Sequence, residues 1–218
     1  MFYASKTRLN SISPLKINLD KYLKINKQSL KKSFFNRHSK LVAPELIGCY
    51  LIRNRINNDF IKGMIVETEA YSQEEEACHG YSKMTESNKP LFGKPGTFYI
   101  YKSYGIHHCL NIVTDKENFA SGVLIRSVFI SKKNERLASG PGLVTKTFSV
   151  DISFNSLEVL NNQFLWISPR ESTLEEKDLI QTTRIGISKA KNIKWRWYLK
   201  NSRSVSKRLK GDRTPKFQ

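Results

Sequence analysis

The chain has 218 residues, a length that suits one domain with a substantial core and gives no reason to divide it in two. Its 37 Lys and Arg against 19 Asp and Glu give a formal net charge of +18, which favours a polyanionic partner. The three cysteines are widely spaced and form no C-x-x-C pair, which excludes a zinc signature and a disulfide framework and fits a reducing compartment. No apolar run reaches the length of a membrane span, so no membrane partner is expected.

The positive charge is concentrated at the two ends of the chain. Residues 1–40 carry ten basic residues and one acid, and residues 189–218 carry eleven and one, so that the middle is almost neutral. Basic arms of this kind suit contacts with phosphates, which supply affinity without reading sequence. Disordered solubilising tails would give the same distribution, and charge alone favours neither interpretation.

The first segments predict an extension, a helix and a strand. Residues 1–37 scatter a few apolar positions among lysines and cannot bury a core, which predicts a basic N-terminal extension. A helix follows, with Ser39 as its N-cap and Gly48 as its stop. Residues 49–56 then predict a strand, and the residues at 57–59 predict its turn.

The next strand, predicted over residues 62–72, carries two acids. Its period of two predicts one face that holds Ile65, Glu67, Glu69 and Tyr71. Glu69 follows an apolar run and precedes a tyrosine by two residues, so we expect it to be partly buried beside an aromatic ring. Burial raises the pKa of a carboxylate toward neutrality and suits it to act as a general base. Glu67 competes for this role on sequence alone, and a solvent-facing carboxylate is the ordinary alternative.

Four tyrosines within 34 residues form a second candidate site. Tyr71 lies beside the acids, and Tyr99 and Tyr101 share one face of the strand predicted within TFYIYKSYG. Such rings beside a carboxylate favour a stacking slot for a flat base, although packing is the commoner role of any one strand tyrosine. Tyr104 stands next to Gly105 at a turn, where a protruding ring can enter a duplex and hold the gap left by an extruded nucleotide.

Two further predicted strands contribute polar candidates. The first, IHHCLNIV, places Asn111 on the face opposite Ile106, Leu110 and Ile112, where its amide can bond a base edge or satisfy the backbone. The second, GVLIRSVFI, is apolar around Arg126, which therefore needs a carboxylate partner such as Glu69 or Glu67. A structural ion pair and catalytic positioning both remain open for Arg126. The histidines at 79, 107 and 108 fit no metal motif, and the acids at 74–76 predict a solvated loop.

The remaining segments complete the predicted fold. The residues at 139–142 open a helix, and Thr173 with Glu176 predicts a capping box for another. Segments 184–188 and 195–199 predict closing strands. The class is therefore α+β, a single mixed domain with a largely antiparallel sheet surrounded by helices.

Six segments, taken in order, resemble the motifs of the alkyladenine (3-methyladenine) DNA glycosylase family. They are IVETEAY at 65–71, ACHGYS at 77–82, KPGTFYIYKSYGIHHCLNIVT at 94–114, VLIRS at 123–127, SGPG at 139–142 and RIGI at 184–187. The resemblance covers roughly residues 38–208, which implies a DNA glycosylase domain there and leaves 209–218 as a flexible basic tail.

The resemblance implies a role for each matching residue. Glu69 matches the general base, and Arg126 matches the arginine that helps to hold the attacking water. The residues that match those enclosing the flipped base are Tyr71, His79 and Tyr101. Asn111 matches the asparagine that crowds the amino group of guanine, Tyr104 matches the intercalating wedge, and Tyr99 is assigned packing first.

The implied enzyme is a monofunctional glycosylase without metal or cofactor, which releases alkylated or deaminated purines and leaves an abasic site. We expect double-stranded DNA as its partner, a monomeric state, and a cytoplasmic location with the DNA, in the nucleoid if the source is bacterial. One departure from the family pattern is Ser87, ahead of Asn88, where the family commonly has an arginine. The alternative hypothesis is a basic nucleic-acid-binding module that keeps the fold without catalysis.

Overall fold

The computed structural model describes residues 29–55, 59–160 and 162–212. Most of the predicted N-terminal extension, most of the predicted C-terminal tail and part of the predicted turn at 57–59 lie outside these ranges. The boundaries of the 38–208 domain therefore stay a prediction. The described chain from Ser29 onward already belongs to the folded body, since Leu30 and Phe35 are buried in the main core.

Short helices and an antiparallel sheet make up the described fold, which confirms the predicted α+β class. The helices are α1 (Lys32–Phe35), α2 (Ser39–Leu46) and α3 (Pro141–Phe148). The strands are β1 (Tyr50–Asn54), β2 (Phe60–Ser72), β3 (Phe98–Ser103), β4 (His107–Val113), β5 (Ser121–Phe129), β6 (Leu165–Ser168), β7 (Leu179–Thr182) and β8 (Arg196–Leu199).

The 13-residue strand β2 is the centre of the sheet. The strand order is β3-β4-β5-β2-β1-β6, and all of the pairings are antiparallel. On its other edge, β2 pairs first with β1 and then, over Glu67–Glu69, with β8, which also pairs with β7. Side chains from several distant segments therefore meet along the second half of β2.

The two faces of the sheet have different surroundings. On one face, residues such as Ile100 of β3 and Leu110 of β4 pack with α2 and α3 in the main core. The alternate residues of the same strands, Tyr99 and Cys109, line a cavity on the opposite face. The period-two patterns are thus confirmed within β3 and β4, because one set of side chains fills the core and the other faces the cavity. The prediction was wrong for Ile106, which lies in the turn before β4 and is 69% exposed.

A pair of β-bulges corrects the predicted face of β2. The register with β5 shifts on both sides of Glu67, so that Val66 on β2 and Arg126 on β5 have no partner in the ladder. Ile65 consequently packs in the main core, together with Ala70, rather than on the face of Glu67 and Glu69. The sequence alternates without interruption, whereas a bulge inserts one residue and moves every later side chain to the other face.

Three local predictions were wrong. The N-cap of α2 is His38, whose Nδ1 accepts the Lys40 N–H, because the hydroxyl of Ser39 donates instead to the Tyr71 carbonyl. The capping box predicted near residue 173 forms at Glu175 and Asp178 and bounds only a single 3₁₀ turn, which runs directly into β7.

The third correction concerns residues 184–188, which form irregular backbone rather than a strand. Gly186 has a φ of +77°, which is incompatible with an extended ladder, and the Ile185 N–H turns toward a side chain. The strand prediction at 195–199 is confirmed by β8.

Candidate active site

A cavity of about 450 Å³ opens on the face of the sheet opposite the main core. Its walls come from β2, β3, β4 and β5, from the loop after β2 and from the irregular segment after β7. The lining residues central to its chemistry are Tyr71, His79, Tyr101, Asn111, Arg126 and Ile185. The structure therefore brings together all the predicted base-contacting residues, with Tyr104 at the same cavity and Glu69 directly behind its wall.

Glu69 projects from β2 and is fully buried. Its Oε2 accepts hydrogen bonds from the Tyr71 hydroxyl at 2.7 Å and from Arg126 Nη1 at 3.2 Å. Its Oε1 accepts the backbone N–H of Ile185 at 2.8 Å. These three donors line the cavity. The carboxylate is thus fixed in one orientation by groups from three separate segments.

Burial decides the protonation behaviour of Glu69. Loss of solvation raises its pKa above the ordinary value of a glutamic acid, and Arg126, the Ile185 N–H and the Tyr71 hydroxyl offset only part of this effect. Glu67 behaves in the opposite way: its burial is outweighed, chiefly by Arg126 and Ser127, and its pKa is lowered. Glu69 is therefore the member of the pair that takes up a proton more readily.

Glu67 is surrounded by donors that do not line the cavity. Its Oε1 accepts from Arg196 Nη1 at 2.6 Å and from the Ser206 hydroxyl at 2.9 Å. Its Oε2 accepts from the Ser127 hydroxyl at 2.7 Å and from the Ser206 N–H at 2.7 Å. Of the two acids between which the sequence left the choice open, Glu69 is the one that accepts hydrogen bonds from residues lining the cavity.

Arg126 bridges the two carboxylates. Its Nη1 bonds Glu69, and its Nε lies 3.3 Å from Glu67 Oε1 without the alignment of a hydrogen bond. Nη2 makes no hydrogen bond to any residue in the described ranges, and Arg126 is one of the residues that line the cavity. The prediction that Arg126 has a carboxylate partner is thus confirmed, and both Glu67 and Glu69 fill that role.

An aromatic wall surrounds the space next to Glu69. Tyr101 packs edge-on against His79 with ring centroids 4.4 Å apart and against the tilted ring of Tyr99 at 5.5 Å. Tyr71 is backed by the Arg184 guanidinium, which lies 4.7 Å from its ring centroid. The rings are therefore held by their neighbours before any ligand is present.

Burial lowers the pKa of His79 below the ordinary histidine value, which favours the neutral ring. Its Nδ1 lies 2.9 Å from the Tyr99 hydroxyl, and the tautomer decides which atom donates. Tyr99 is only 3% exposed, and its hydroxyl fixes the ring of His79. Both observations agree with the packing role assigned to Tyr99.

Asn111 stands on β4 with its amide nitrogen fully engaged. Nδ2 donates to the carbonyl oxygens of Tyr99 at 3.1 Å and Cys109 at 3.3 Å. Oδ1 makes no hydrogen bond within the described part of the chain. The side chain is consequently a fixed, acceptor-bearing obstacle in the cavity.

Tyr104 occupies the tip of the hairpin between β3 and β4. Its side chain is 90% exposed, and both Tyr104 and Gly105 have positive φ, at 48° and 68°. The Ile106 N–H donates to the Ser103 carbonyl at 3.0 Å and closes a turn whose two central residues match the primed type of tight hairpins. The predicted protrusion of Tyr104 is confirmed.

Sequence reasoning missed a buried ion pair behind Tyr71. Arg184 bonds both oxygens of Glu75, at 2.6 and 2.7 Å, and the two side chains are 0% and 5% exposed. The interpretation of residues 74–76 as solvated was therefore wrong for Glu75. The sequence offered one indication of this pair, because Arg184 in RIGI needs an acidic partner if it is buried. It gave no indication of which acid that partner is.

Among the described residues, no set of three or more His, Cys, Asp and Glu side chains could hold a metal ion. His107 and His108 border a separate groove along α3, away from the aromatic wall. No helix in the described ranges is long and apolar enough to cross a bilayer.

The chain belongs to the methylpurine-DNA glycosylase family, whose model matches residues 33–203. A relative from Trichodesmium erythraeum (strain IMS101), named "Putative 3-methyladenine DNA glycosylase", is 39% identical over 199 residues, which cover 84% of this chain and 99% of the relative. A protein of the same name from Carboxydothermus hydrogenoformans is 40% identical over 191 residues, covering 82% and 99%. Another from Ehrlichia ruminantium is 38% identical over 179 residues, covering 81% and 92%. The family predicted from the six motifs is thus confirmed.

Proposed function

We propose that the chain hydrolyses the bond between a damaged purine and its deoxyribose in double-stranded DNA, with Glu69 as the general base. The observation that carries the proposal is the position of Glu69, which is buried behind an aromatic cavity and held by Tyr71, Arg126 and the Ile185 N–H. A module that only binds DNA has no use for a carboxylate held by the residues that line its base cavity, because negative charge there repels phosphates.

The cavity fits a single extruded base. Its volume of about 450 Å³ and its walls of Tyr71, Tyr101 and His79 suit a flat ring that stacks on aromatic faces. Asn111 limits the space at the floor, so that we assign it the exclusion of normal guanine. Tyr104 at the hairpin tip is the side chain that fills the gap in the duplex.

The chemistry follows from the position of the carboxylate. A purine alkylated at N3 or N7 is cationic, so its ring can leave with the electrons of the C1′–N bond. Water donates a proton to Glu69 and bonds to C1′, while the carboxylate stabilises the positive charge that develops on the sugar. Arg126 keeps the carboxylate oriented and can donate from Nη2 to the water. The products are a free base and an abasic site.

Deaminated purines such as hypoxanthine are neutral and leave less readily, and we include them as slower substrates. We infer no lyase step, because no lysine stands at a motif position where a Schiff base with the sugar would form. Borohydride should therefore trap no covalent complex with DNA. We further propose that the protein acts as a monomer and that it is located in the cytoplasm, with the DNA.

The test compares wild type with Glu69→Gln in single-turnover release of base from duplexes that carry 3-methyladenine or hypoxanthine. Loss of a general base predicts a rate about 10²- to 10⁴-fold lower, with unchanged affinity for an abasic-site duplex. The control is Glu171→Gln, which makes the same chemical change on an exposed side chain three residues after β6. This variant should keep the wild-type rate.

The pH dependence gives a second readout. Because burial raises the pKa of Glu69, the active carboxylate is lost as the pH falls through a value above that of an ordinary glutamic acid. Full release by Glu69→Gln would exclude Glu69 as the base. Tight DNA binding without release by any variant, wild type included, would favour the non-catalytic module.

A further inference from the structure

Arg126 is shared by two carboxylates that stand two residues apart on β2. Its Nη1 lies 3.2 Å from Glu69 Oε2, and its Nε lies 3.3 Å from Glu67 Oε1. The guanidinium is 8% exposed and the two acids are fully buried. The charge of Arg126 therefore faces two negative charges in a site from which water is nearly excluded, and Glu67 has a second buried cation, Arg196, 2.6 Å from its Oε1.

Glu67 itself is anchored from outside the cavity. Arg196 on β8, Ser127 on β5 and Ser206 beyond β8 supply four hydrogen bonds of 2.6 to 2.9 Å to its two oxygens. The segment around Ser206 is held in turn by Arg136, whose guanidinium donates to the carbonyls of Val205 and Ser206. Both carboxylate oxygens of Glu67 are thus held by hydrogen bonds, whereas the Nε of Arg126 makes no hydrogen bond.

We propose that Glu67 is a positioning residue for the reaction assigned to Glu69: it holds Arg126 in place beside Glu69 and shares the positive charge of that guanidinium with it. The inference rests on the proposed function. It deepens that function by adding a second acid, and the C-terminal segment that anchors this acid, to the machinery.

The direction of the effect follows from the charges around Glu69. The groups that face it are Glu67 and Tyr71 of β2, Tyr101 of β3, Cys109 of β4, Arg126 of β5 and Arg184 beyond β7. The negative charge of Glu67 disfavours ionisation of Glu69 and draws on the same guanidinium. Neutralising Glu67 leaves Arg126 to Glu69 alone, so Glu69 should then ionise at lower pH.

The experiment is a titration of the glutamate side-chain carboxyls by ¹³C NMR in wild type, Glu67→Gln and Glu171→Gln. The resonance that disappears in Glu69→Gln identifies Glu69. We expect Glu67→Gln to lower the pKa of Glu69 by on the order of one unit and to move the acid limb of base release by the same amount. Glu171→Gln should change neither.

A second variant protects the test against unfolding. Removing one partner of a buried ion pair leaves the other charge uncompensated, whereas removing both is better tolerated. Glu67→Gln/Arg196→Gln removes the pair as a unit and should still shift the pKa of Glu69 downward, by less than Glu67→Gln does, because a nearby positive charge is lost as well.

The outcomes separate this inference from the proposed function. A folded variant with a lower rate but an unmoved Glu69 titration would make Glu67 purely structural and overturn the inference. Retained activity in Glu69→Gln would overturn the proposed base, whatever the titration shows. A shift in both titration and acid limb supports the two together.

Discussion

Substituting Tyr104 by alanine should separate DNA engagement from folding. The ring is 90% exposed, and no hydrogen bond or ring contact involves it within the described chain. The backbone of residue 104 keeps its positive φ in either variant, so the strain of the turn is unchanged. Tyr104→Ala should therefore alter the free energy of unfolding by no more than about 0.5 kcal/mol.

Activity on duplex DNA should fall much more than stability. Stacking of one base on an aromatic side chain contributes about 1 to 3 kcal/mol, which corresponds to roughly a 5- to 150-fold loss in the rate constant at subsaturating enzyme. A single-stranded substrate has no gap to fill, so its rate should change little. The ratio of duplex to single-strand rates is the quantity that reports the wedge.

The assay measures single-turnover release of hypoxanthine from matched duplex and single-stranded oligonucleotides, with urea unfolding alongside. Tyr81→Ala is the matched control, because Tyr81 is an exposed tyrosine (44%) that does not line the cavity. Equal losses on duplex and single strand, or a clear loss of stability, would show that Tyr104 does not act by filling the gap.

Two further predictions concern the surroundings of the cavity. Glu75→Gln should lower the free energy of unfolding by roughly 3 to 5 kcal/mol, since it leaves the Arg184 charge buried and unpaired. Urea unfolding of this variant, of wild type and of Glu171→Gln checks the prediction, and Glu171→Gln should stay near wild type. Asn111→Ala should raise release of 7-methylguanine relative to hypoxanthine by removing a fixed obstacle at the floor. An unchanged ratio of the two lesions in paired release assays would exclude Asn111 as the selective element.

Much of the site could be predicted because its side chains follow strand periodicity. Two-residue alternation along a strand predicts that Tyr99 and Tyr101 share a face, as they do. Buried charges are rarely unpaired, which predicts the acidic partners of Arg126. Exposure of Tyr104 followed from its place beside Gly105 at a turn. These predictions depend on local pattern alone.

The remaining features depend on contacts that local pattern does not encode. The bulges at Val66 and Arg126 are defined by two strands at once, so an alternating sequence on one strand cannot reveal them. The Ile185 and Ser206 N–H groups that bind the two acids are backbone donors, which every residue but proline possesses. Glu75 was missed because three adjacent acids give no sign of which one turns inward.

The anchor of Glu67 also bears on how the protein is made. Glu67 and Ser206 are 139 residues apart, so the segment that fixes the acid is synthesised long after β2 itself. Contacts that close over so long a stretch form late, after the local hairpins. The cavity wall at Ile185 and the Glu67 anchor at Ser206 both lie far beyond β2 in the chain, so the site is completed only after these later segments have been synthesised.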